Sequence, residues 1–248
     1  DIVLFDIQDV GVRFYTYIST LTYLMEAGAE NNVEILVLDR PNPHDGYIDG
    51  PVLKKKWESF VGMHEIPVVY GLTIGEYGNM VNGEKWLKNG VQAKYTLIPM
   101  QKYHKMQRYP ILDKPSPNLP NDKSINLYPS LCFFEGTQVS VGRGTDIPFQ
   151  VYGSPWTKNL DYQFTPKPNF GAKEPFLNGK LCYGENLSGY SKDLRELNLE
   201  WLIKAYKNYR NPQQDFFLKN LFFDTLAGSD ELRKQIVAGK SSEEIKSS

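Results

Sequence analysis

Cysteine and histidine are scarce in this chain of 248 residues, which has two of the first and three of the second. Cys132 and Cys182 both lie in apolar surroundings, and no CxxC pair occurs. The histidines, His44, His64 and His104, are far apart, and there is no HExxH motif. Two cysteines do not build a disulfide framework, and zinc sites usually show such clusters. We therefore predict buried thiols and no metal site.

Long hydrophobic runs and an excess of charge of one sign are also absent. No stretch approaches the roughly 18 apolar residues of a membrane-spanning helix. The formal net charge is -1, so no strong field draws the protein toward nucleic acid or an anionic membrane. Hydrophobic residues make up 41% and charged residues 23%, as in ordinary globular domains. The sequence predicts neither a membrane span nor a nucleic-acid partner and leaves the oligomeric state open.

Phosphate-binding glycine loops and the nucleophile motifs of common hydrolases are missing as well. The segment after the first predicted strand, DIQDVGVRF, lacks the GxGxxG spacing of a dinucleotide site, and no GxxxxGK[ST] occurs. Nucleotide phosphates need such a loop at a helix N-terminus. There is no GxSxG, and neither cysteine has an evident histidine partner. We predict no nucleotide and no other cofactor.

The sequence does contain a strand, helix and strand pattern near its beginning. Residues 2–7 and 33–39 are apolar runs that end in an acid, which is typical of buried parallel strands. Residues 19–30 between them have helical spacing, and short connections of this kind form right-handed βαβ units. Further predicted elements are a helix at 73–89, a strand at 93–100, a helix at 121–135, a strand at 137–141 and helices near 191–209, 213–226 and 229–238.

These elements predict an α/β fold in two domains. Residues 1–150 are expected to form a Rossmann-like, mostly parallel sheet with helices on both faces. After an irregular connector that follows Trp156, residues 151–248 are expected to form a smaller α-rich domain of the α+β type. The chain opens inside what looks like a buried strand, whereas natural N-termini usually have a polar lead-in. We therefore expect the first domain to be N-terminally incomplete.

Polar side chains follow the predicted strands, where ligands bind in open parallel sheets. Turn acids more often bond nearby backbone than a ligand, so a structural role is the alternative for each of them. The predicted contacts with substrate are Asp6, Asp9, Arg13 and Tyr15 after the first strand, Arg40 and Asn42 after the second, Ser116 and Asn118 in the PSPN loop, and Arg143 and Thr145 in SVGRGTD.

Two glutamates are candidates for carboxylate catalysis. Glu135 follows the apolar LCFF and precedes Gly136, so the negative end of a helix and apolar neighbours favour a protonated carboxyl, as a general acid requires. Glu76 lies in a first helical turn, where ionisation is favoured, and a capping box with Thr73 is its structural alternative. Two acids in opposed surroundings are the pattern of a glycosidase pair. The alternative for Glu135 is an exposed acid without a role.

Arg143 stands between two glycines, which allow its backbone to approach a ligand closely. A guanidinium group can bind a carboxylate with two parallel hydrogen bonds. The alternative is an arginine paired with an acid of the protein itself.

Several of these stretches together resemble one family, DUF1343, whose characterised members are NamZ-type exo-β-N-acetylmuramidases. The resemblance covers essentially the whole chain, and the segment at residues 128–156 is its most specific part. The matching stretches are DIVLFDIQDVGVRFYTYISTL, LDRPNP, GPVL, IPVVYGLTIGEY, PSPNLP, YPSLCFFEGTQVSVGRGTDIPFQVYGSPW and LRKQIVAGKSSEEIK.

The resemblance implies two domains with a cleft between them and a secreted or periplasmic location. It also implies release of N-acetylmuramic acid from the non-reducing ends of peptidoglycan fragments. Arg143, Arg13 or Arg40 could then bind the lactyl carboxylate of that sugar, and aromatic side chains could cover its faces. Family members carry a Glu-His-Gly motif in a segment that precedes the point where this chain starts, and nothing here matches it. The rival hypothesis is a non-catalytic module that binds muramyl sugars of the cell wall.

Overall fold

The fold consists of two compact units. The computed structural model describes residues 1–107, 109–111 and 113–247. Its internal contacts divide the chain into Asp1–Ile111 and Leu112–Ser248. Among the described residues, no helix is long and apolar enough to cross a membrane.

The first unit is built on a parallel sheet of three strands, which confirms the predicted α/β class. Strands β1 (Ile2–Phe5), β2 (Glu34–Leu38) and β3 (Tyr95–Ile98) lie side by side in chain order. Helix α1 (Tyr17–Asn31) connects β1 to β2, and helix α2 (Ile74–Gly83) lies between β2 and β3. The connection order is the one that the βαβ pattern predicted.

Both helices of this unit contribute to one hydrophobic core. Leu21 and Met25 of α1, Ile35 and Val37 of β2, and Tyr77 of α2 belong to the same buried cluster. Right-handed crossovers between strands in sequential order put successive helices on the same face of a sheet. Helices α1 and α2 therefore pack in one core with the sheet, in the α/β layering that the sequence predicted.

Helix α2 is shorter than the predicted 73–89. The Thr73 side chain accepts from the Glu76 amide and the Glu76 carboxylate accepts from the Thr73 amide, so the predicted capping box is present. The helix ends at Gly83, and Lys85 has a left-handed φ of 58°. Such a backbone turn cannot continue a right-handed helix.

The second unit begins with helix α3 (Asp122–Leu131), which continues as a tighter 3-10 turn over Cys132–Gly136. Asn121 caps the helix in a capping box with Ser124. The turn ends at Gly136, where an added Cβ would lie 2.4 Å from the Phe223 backbone. Only glycine permits this approach, so the helix ends where the sequence predicted, although its last turn is not α-helical.

An antiparallel sheet in the second unit was missed by the sequence analysis. Strands β4 (Val151–Ser154), β5 (Tyr162–Phe164) and β6 (Cys182–Asn186) form it in the order β4-β6-β5. The prediction had an irregular connector here, because these strands are short and show no clear alternation. The strand predicted at 137–141 is reduced to isolated bridges, one of which joins Ser140 to Gly153. The predicted boundary at residues 150 and 151 therefore falls within this unit.

Among the residues that the structure describes, four short helices complete the second unit: α4 (Glu200–Asn208), α5 (Phe222–Ala227), α6 (Glu231–Val237) and α7 (Ser242–Lys246). The prediction extended the first two too far toward the N-terminus. The Lys192 carbonyl accepts from the Asn126 side chain of α3, and the Leu194 amide donates to that side chain. These backbone groups therefore bond α3 instead of partners within a helix of their own. Leu221 has a left-handed φ of 59°, which starts α5 at Phe222.

We predict that Asp224→Ala lowers the free energy of unfolding by about 1–3 kcal/mol, because it removes the buried carboxylate that accepts two charged hydrogen bonds from Arg233. Asp224 is 0% exposed and forms a two-pronged pair with Arg233, with both N–O distances at 2.7 Å. The control is Glu196→Ala, which removes a pair to Lys246 whose acid is 69% exposed and should change the free energy by at most about 1 kcal/mol. Urea unfolding measures both, and equal small effects would contradict the prediction.

Candidate active site

Asp39, directly after β2, ties the strand to the start of α2. Its carboxylate accepts from the Thr73 hydroxyl at 2.8 Å and from the Gly75 amide at 3.0 Å. Burial raises the pKa of Asp39, and the bond from Thr73 opposes that effect. Asp39 therefore connects the end of β2 to the start of α2, next to the polar residues that follow the strands.

Asp6 and Arg40 meet beyond the ends of β1 and β2, as the sheet topology predicts for residues after parallel strands. Both Nε and Nη2 of Arg40 approach Oδ1 of Asp6, at 2.7 and 2.6 Å. Both side chains are more than a third exposed, so the pair contributes little to stability. The two predicted contacts are thus brought together at a surface that a ligand can reach.

Asp9 is a buried acid with one unsatisfied oxygen. Oδ2 accepts from the Tyr70 hydroxyl at 2.6 Å and from the Gly11 amide at 2.7 Å. Oδ1 has no hydrogen-bond partner among the described residues. Burial raises the pKa of Asp9 to about 7, although the bonds from Tyr70 and Gly11 oppose the shift. The group therefore changes its protonation near neutral pH.

Three other predicted contacts after β1 and β2 are packed into the loops. Arg13 is completely buried and donates to the carbonyls of Pro51 and Ile66 at 2.8 and 2.6 Å, and burial lowers its pKa to about 10. Asn42 is buried, and its side chain donates to the Leu72 carbonyl and accepts from the His44 amide. The Tyr15 ring packs edge-on against Tyr17. These contacts stabilise the loops that follow the strands. The substrate-binding roles of the three residues stay predictions.

Glu76 serves the helix start and also faces a cation. Besides its capping bond to Thr73, its Oε2 lies 2.7 Å from Nζ of Lys105. Both side chains of that ion pair are more than a third exposed. The capping role explains why an acid stands here, and the catalytic role of Glu76 stays a prediction.

Glu135 and Arg143, the two residues that the sequence singled out in the second unit, form an ion pair. Nε of Arg143 lies 2.6 Å from Oε1 of Glu135. An arginine at this distance favours the charged form of a carboxyl group, whereas the sequence predicted surroundings that oppose charge. Burial acts to lower the pKa of Arg143, but the charge of Glu135 and the bond to it raise the pKa on balance.

The two glycines beside Arg143 have conformations that other residues rarely adopt. Gly142 and Gly144 have left-handed φ values of 78° and 82°. A Cβ at Gly144 would lie 2.6 Å from the Lys167 carbonyl oxygen, and one at Gly142 would lie 2.4 Å from a methyl group of Val151. The turn that carries Arg143 is thus possible only with glycine on both sides.

A cavity of about 160 Å³ opens beside this ion pair. Its lining is mainly apolar, and Glu135 and Arg143 supply its charged groups. The apolar wall consists of Phe134, Val139, Val141, Phe176 and Leu218. A site of this kind can hold a small ligand that carries one anionic group and one apolar group.

The remaining predicted contacts in this unit belong to turns. The Ser116 hydroxyl accepts from the Asn118 amide at 3.2 Å, and the Asn118 side chain donates to the Gly171 carbonyl at 2.7 Å. The Thr145 hydroxyl donates to the Gly142 carbonyl at 2.6 Å and so closes the turn around Arg143. Their contacts with substrate stay predictions.

Sequence reasoning missed two residues of this site. Cys132 lies three residues earlier, and its sulfur is 3.6 Å from Oε2 of the carboxylate. Helical spacing could have revealed this contact, because residues three apart share a face. Phe176 lines the cavity from a segment predicted to be irregular, and no signal in the sequence indicated it. Across the described ranges, no cluster of three or more His, Cys, Asp or Glu could hold a metal ion.

The first unit is a parallel α/β fold. The second unit is of the α+β type and carries a carboxylate–guanidinium pair in a small cavity. Together they define an α/β protein of two units. Two family models match the chain: "Exo-beta-N-acetylmuramidase NamZ, N-terminal" over residues 1–123, and its C-terminal counterpart over residues 126–248. The chain belongs to this family, also called DUF1343.

Relatives of known sequence and structure agree with this assignment. The peptidoglycan beta-N-acetylmuramidase NamZ of Bacillus subtilis is 38% identical over 99% of the chain. A crystal structure of a DUF1343 family protein from Bacteroides fragilis matches the whole chain and 70% of its own length, with 50% identity and a TM-score of 0.95. A second such protein from the same species has 27% identity over 99% of the chain and 69% of its own length, with a TM-score of 0.77. The chain spans about 62% of the length of the curated relative.

Asp9 makes stability depend on pH in a direction that can be tested. Because its pKa is raised from 3.8 to about 7, the folded state holds this proton more tightly than the unfolded chain. The contribution is fully present below about pH 4 and is lost as the pH rises toward 7, at about 1.4 kcal/mol for each pH unit. We expect Asp9→Asn, which does not titrate, to gain stability relative to the wild type between pH 4.5 and pH 8.

Urea unfolding at several pH values measures this gain. Asp6→Asn is the control, because Asp6 is exposed and its replacement should show no comparable trend. A difference between Asp9→Asn and wild type that is the same at every pH would show that the buried acid does not hold its proton in this way.

Proposed function

We propose that the protein hydrolyses the glycosidic bond of N-acetylmuramic acid at the non-reducing ends of peptidoglycan fragments. The observation that carries the proposal is the Glu135 and Arg143 pair in the wall of an otherwise apolar cavity. The proposal is supported by membership of the NamZ family and by the 38% identity to a protein named peptidoglycan beta-N-acetylmuramidase. Peptidoglycan lies outside the cytoplasmic membrane, so we propose a secreted or periplasmic location.

The cavity matches the lactyl group that distinguishes muramic acid from other wall sugars. That group combines a carboxylate with a methyl group. Among the described residues, only Nε of Arg143 donates to Glu135. The two terminal nitrogens of Arg143 are therefore available to bind the carboxylate of a ligand. The methyl group would then meet the apolar wall, where Phe134 and Phe176 lie. A cavity of about 160 Å³ has room for several non-hydrogen atoms, since a water takes about 30 Å³.

Binding of that carboxylate changes the electrostatic surroundings of Glu135. In the free protein, Arg143 is paired with this carboxylate at 2.6 Å. A substrate carboxylate on the same guanidinium shares its positive charge and adds a negative charge near Glu135, which favours uptake of a proton. Glu135 then donates this proton to the glycosidic oxygen as the bond to the anomeric carbon breaks, and water supplies the hydroxyl group of the released sugar.

The second carboxylate of the proposed reaction is Glu76. Its Oε2 lies 2.7 Å from Nζ of Lys105, and we propose that it acts as the base or nucleophile. Asp6, Arg40 and Asn118 are proposed as further polar contacts with the sugar.

We expect Glu135→Gln to lower kcat by about 10²–10⁴-fold, because glutamine can neither donate nor accept the proton. KM should change far less, since the side chain keeps its size. The assay is release of free N-acetylmuramic acid from a muramyl disaccharide by the natural full-length protein. Glu196→Gln in the same unit is the control, because this acid is largely exposed and lies outside the cavity. Unchanged turnover in Glu135→Gln would remove this residue from the mechanism.

Arg143 should determine the preference for muramic acid. We expect Arg143→Met to lower kcat/KM for a chromogenic β-N-acetylmuramide by about 10–100-fold, because a charged hydrogen bond is worth about 1.5–3 kcal/mol. The matched substrate is the corresponding β-N-acetylglucosaminide, which lacks the lactyl group. Arg143→Met should reduce the ratio of the two kcat/KM values, and the exposed Arg210→Met should not. A ratio unaffected by Arg143→Met would refute the lactyl pocket.

The rival function, a non-catalytic module for muramyl sugars, predicts a different outcome of the same experiments. Calorimetry would then detect binding of the muramyl disaccharide, and no free muramic acid would appear at any enzyme concentration.

A further inference from the structure

Glu135 belongs to a closed ring of five side chains in the second unit. The Tyr128 hydroxyl donates to the Cys132 sulfur, and Cys132 contacts Glu135. Glu135 pairs with Arg143, whose guanidinium carbon lies 5.0 Å from the centre of the Phe149 ring. Phe149 meets the Tyr128 ring edge-on at 4.9 Å, which closes the ring. Each member is therefore held by two others.

The Cys132 thiol is placed to donate to the catalytic candidate. Its sulfur lies 3.6 Å from Oε2 of Glu135, the oxygen that Arg143 does not bond. Cys132 is buried, and burial raises the pKa of its thiol well above the ordinary value. The thiol thus stays protonated and, facing a carboxylate, can act only as the donor. Arg143 and Cys132 together hold both oxygens of Glu135.

Backbone strain at the opposite side of the ring indicates that the arrangement is maintained by its surroundings. Phe149 is completely buried and has a left-handed φ of 54°. A bulky residue in that region of backbone conformation is an outlier that costs folding free energy. Strain of this kind persists where neighbouring structure fixes it, and it is concentrated at functional sites. Here it places an aromatic face beneath the guanidinium of Arg143.

We propose that Cys132 is a positioning residue that fixes the Glu135 carboxylate in one orientation for proton transfer to the substrate. This inference rests on the proposed function and adds a residue to it. A thiol is a weak donor, so it restrains the carboxyl group without strongly opposing its protonation. Such a restraint preserves the geometry that proton transfer needs, since small misplacements of a catalytic group lower the rate substantially.

The test compares Cys132→Ala, Cys132→Ser and Cys182→Ala in the natural full-length protein. Cys182 is the matched control, because it is also a buried free cysteine and its sulfur bonds only the Lys180 carbonyl among the contacts described. We expect Cys132→Ala to lower kcat by about threefold to tenfold, as the loss of one hydrogen bond implies, with KM nearly unchanged. Cys132→Ser, which keeps a donor, should recover most of this loss, and Cys182→Ala should behave as wild type.

The pH profile of kcat/KM separates positioning from mere packing. The titratable groups that face Glu135 in the described structure are Arg143, Cys132 and Tyr128. Glu135 reacts in its protonated form and therefore sets the basic limb of this profile. Removing a donor to the charged carboxylate should move the basic limb to higher pH in Cys132→Ala, and serine should move it back. A packing role alone would lower the melting temperature and leave the limb in place.

Each outcome decides between the hypotheses. If Glu135→Gln retains activity, the proposed function fails whatever Cys132 does. If Glu135→Gln is inactive while Cys132→Ala keeps the wild-type kcat and pH profile, the positioning role alone is refuted. A loss of kcat in both Cys132 variants without a shift of the limb would also refute it. If Cys132→Ala does not fold, the shift is sought in Cys132→Val, which fills more of the space and has no donor, against Cys182→Val, and its absence there refutes the inference.

Discussion

The bond between Glu135 and Arg143 depends on a turn that only glycine permits. Gly142 and Gly144 both have left-handed backbone angles, and a Cβ atom on either residue would collide with a neighbouring segment. The Lys167 amide donates to the Gly144 carbonyl at 2.9 Å, so a distant segment holds the turn in place. The direction in which Arg143 points is thereby fixed by backbone rather than by its own flexible side chain. The cavity beside the ion pair follows from this constraint.

Polar residues beyond the strands of the first unit serve two different purposes. Arg13 is buried and bonds carbonyl groups of loops that would otherwise leave polar atoms unsatisfied. Asp6 and Arg40 remain exposed and pair with each other. The residue types are the same in both cases, and burial alone separates them. A loop rich in charged residues therefore contains scaffold and surface together, and their accessibility decides which of them a ligand can meet.

Local signals in the sequence were sufficient where the structure is local. The apolar runs of β1 and β2, the helical pattern between them and the capping box of α2 predicted the parallel sheet and its connections. The antiparallel sheet escaped because strand β6 pairs with β4 across some thirty residues, and each strand is too short to show a period. The burial of Asp9 and Arg13 escaped for the same reason, since it depends on the path of distant loops.

The difference between local and distant signals also applies to the candidate site. The prediction that Glu135 is protonated used only local signals. From the sequence, a helix end and apolar neighbours predicted a proton on this carboxyl group. In the structure, this carboxylate instead pairs with Arg143 at 2.6 Å. In the proposed mechanism, a ligand carboxylate on the guanidinium would favour the proton, so the ion pair would make the acid dependent on the substrate's own charge. A sugar without a lactyl group would leave the pair intact, and the proposed mechanism would thereby couple recognition of muramic acid to the chemistry that releases it.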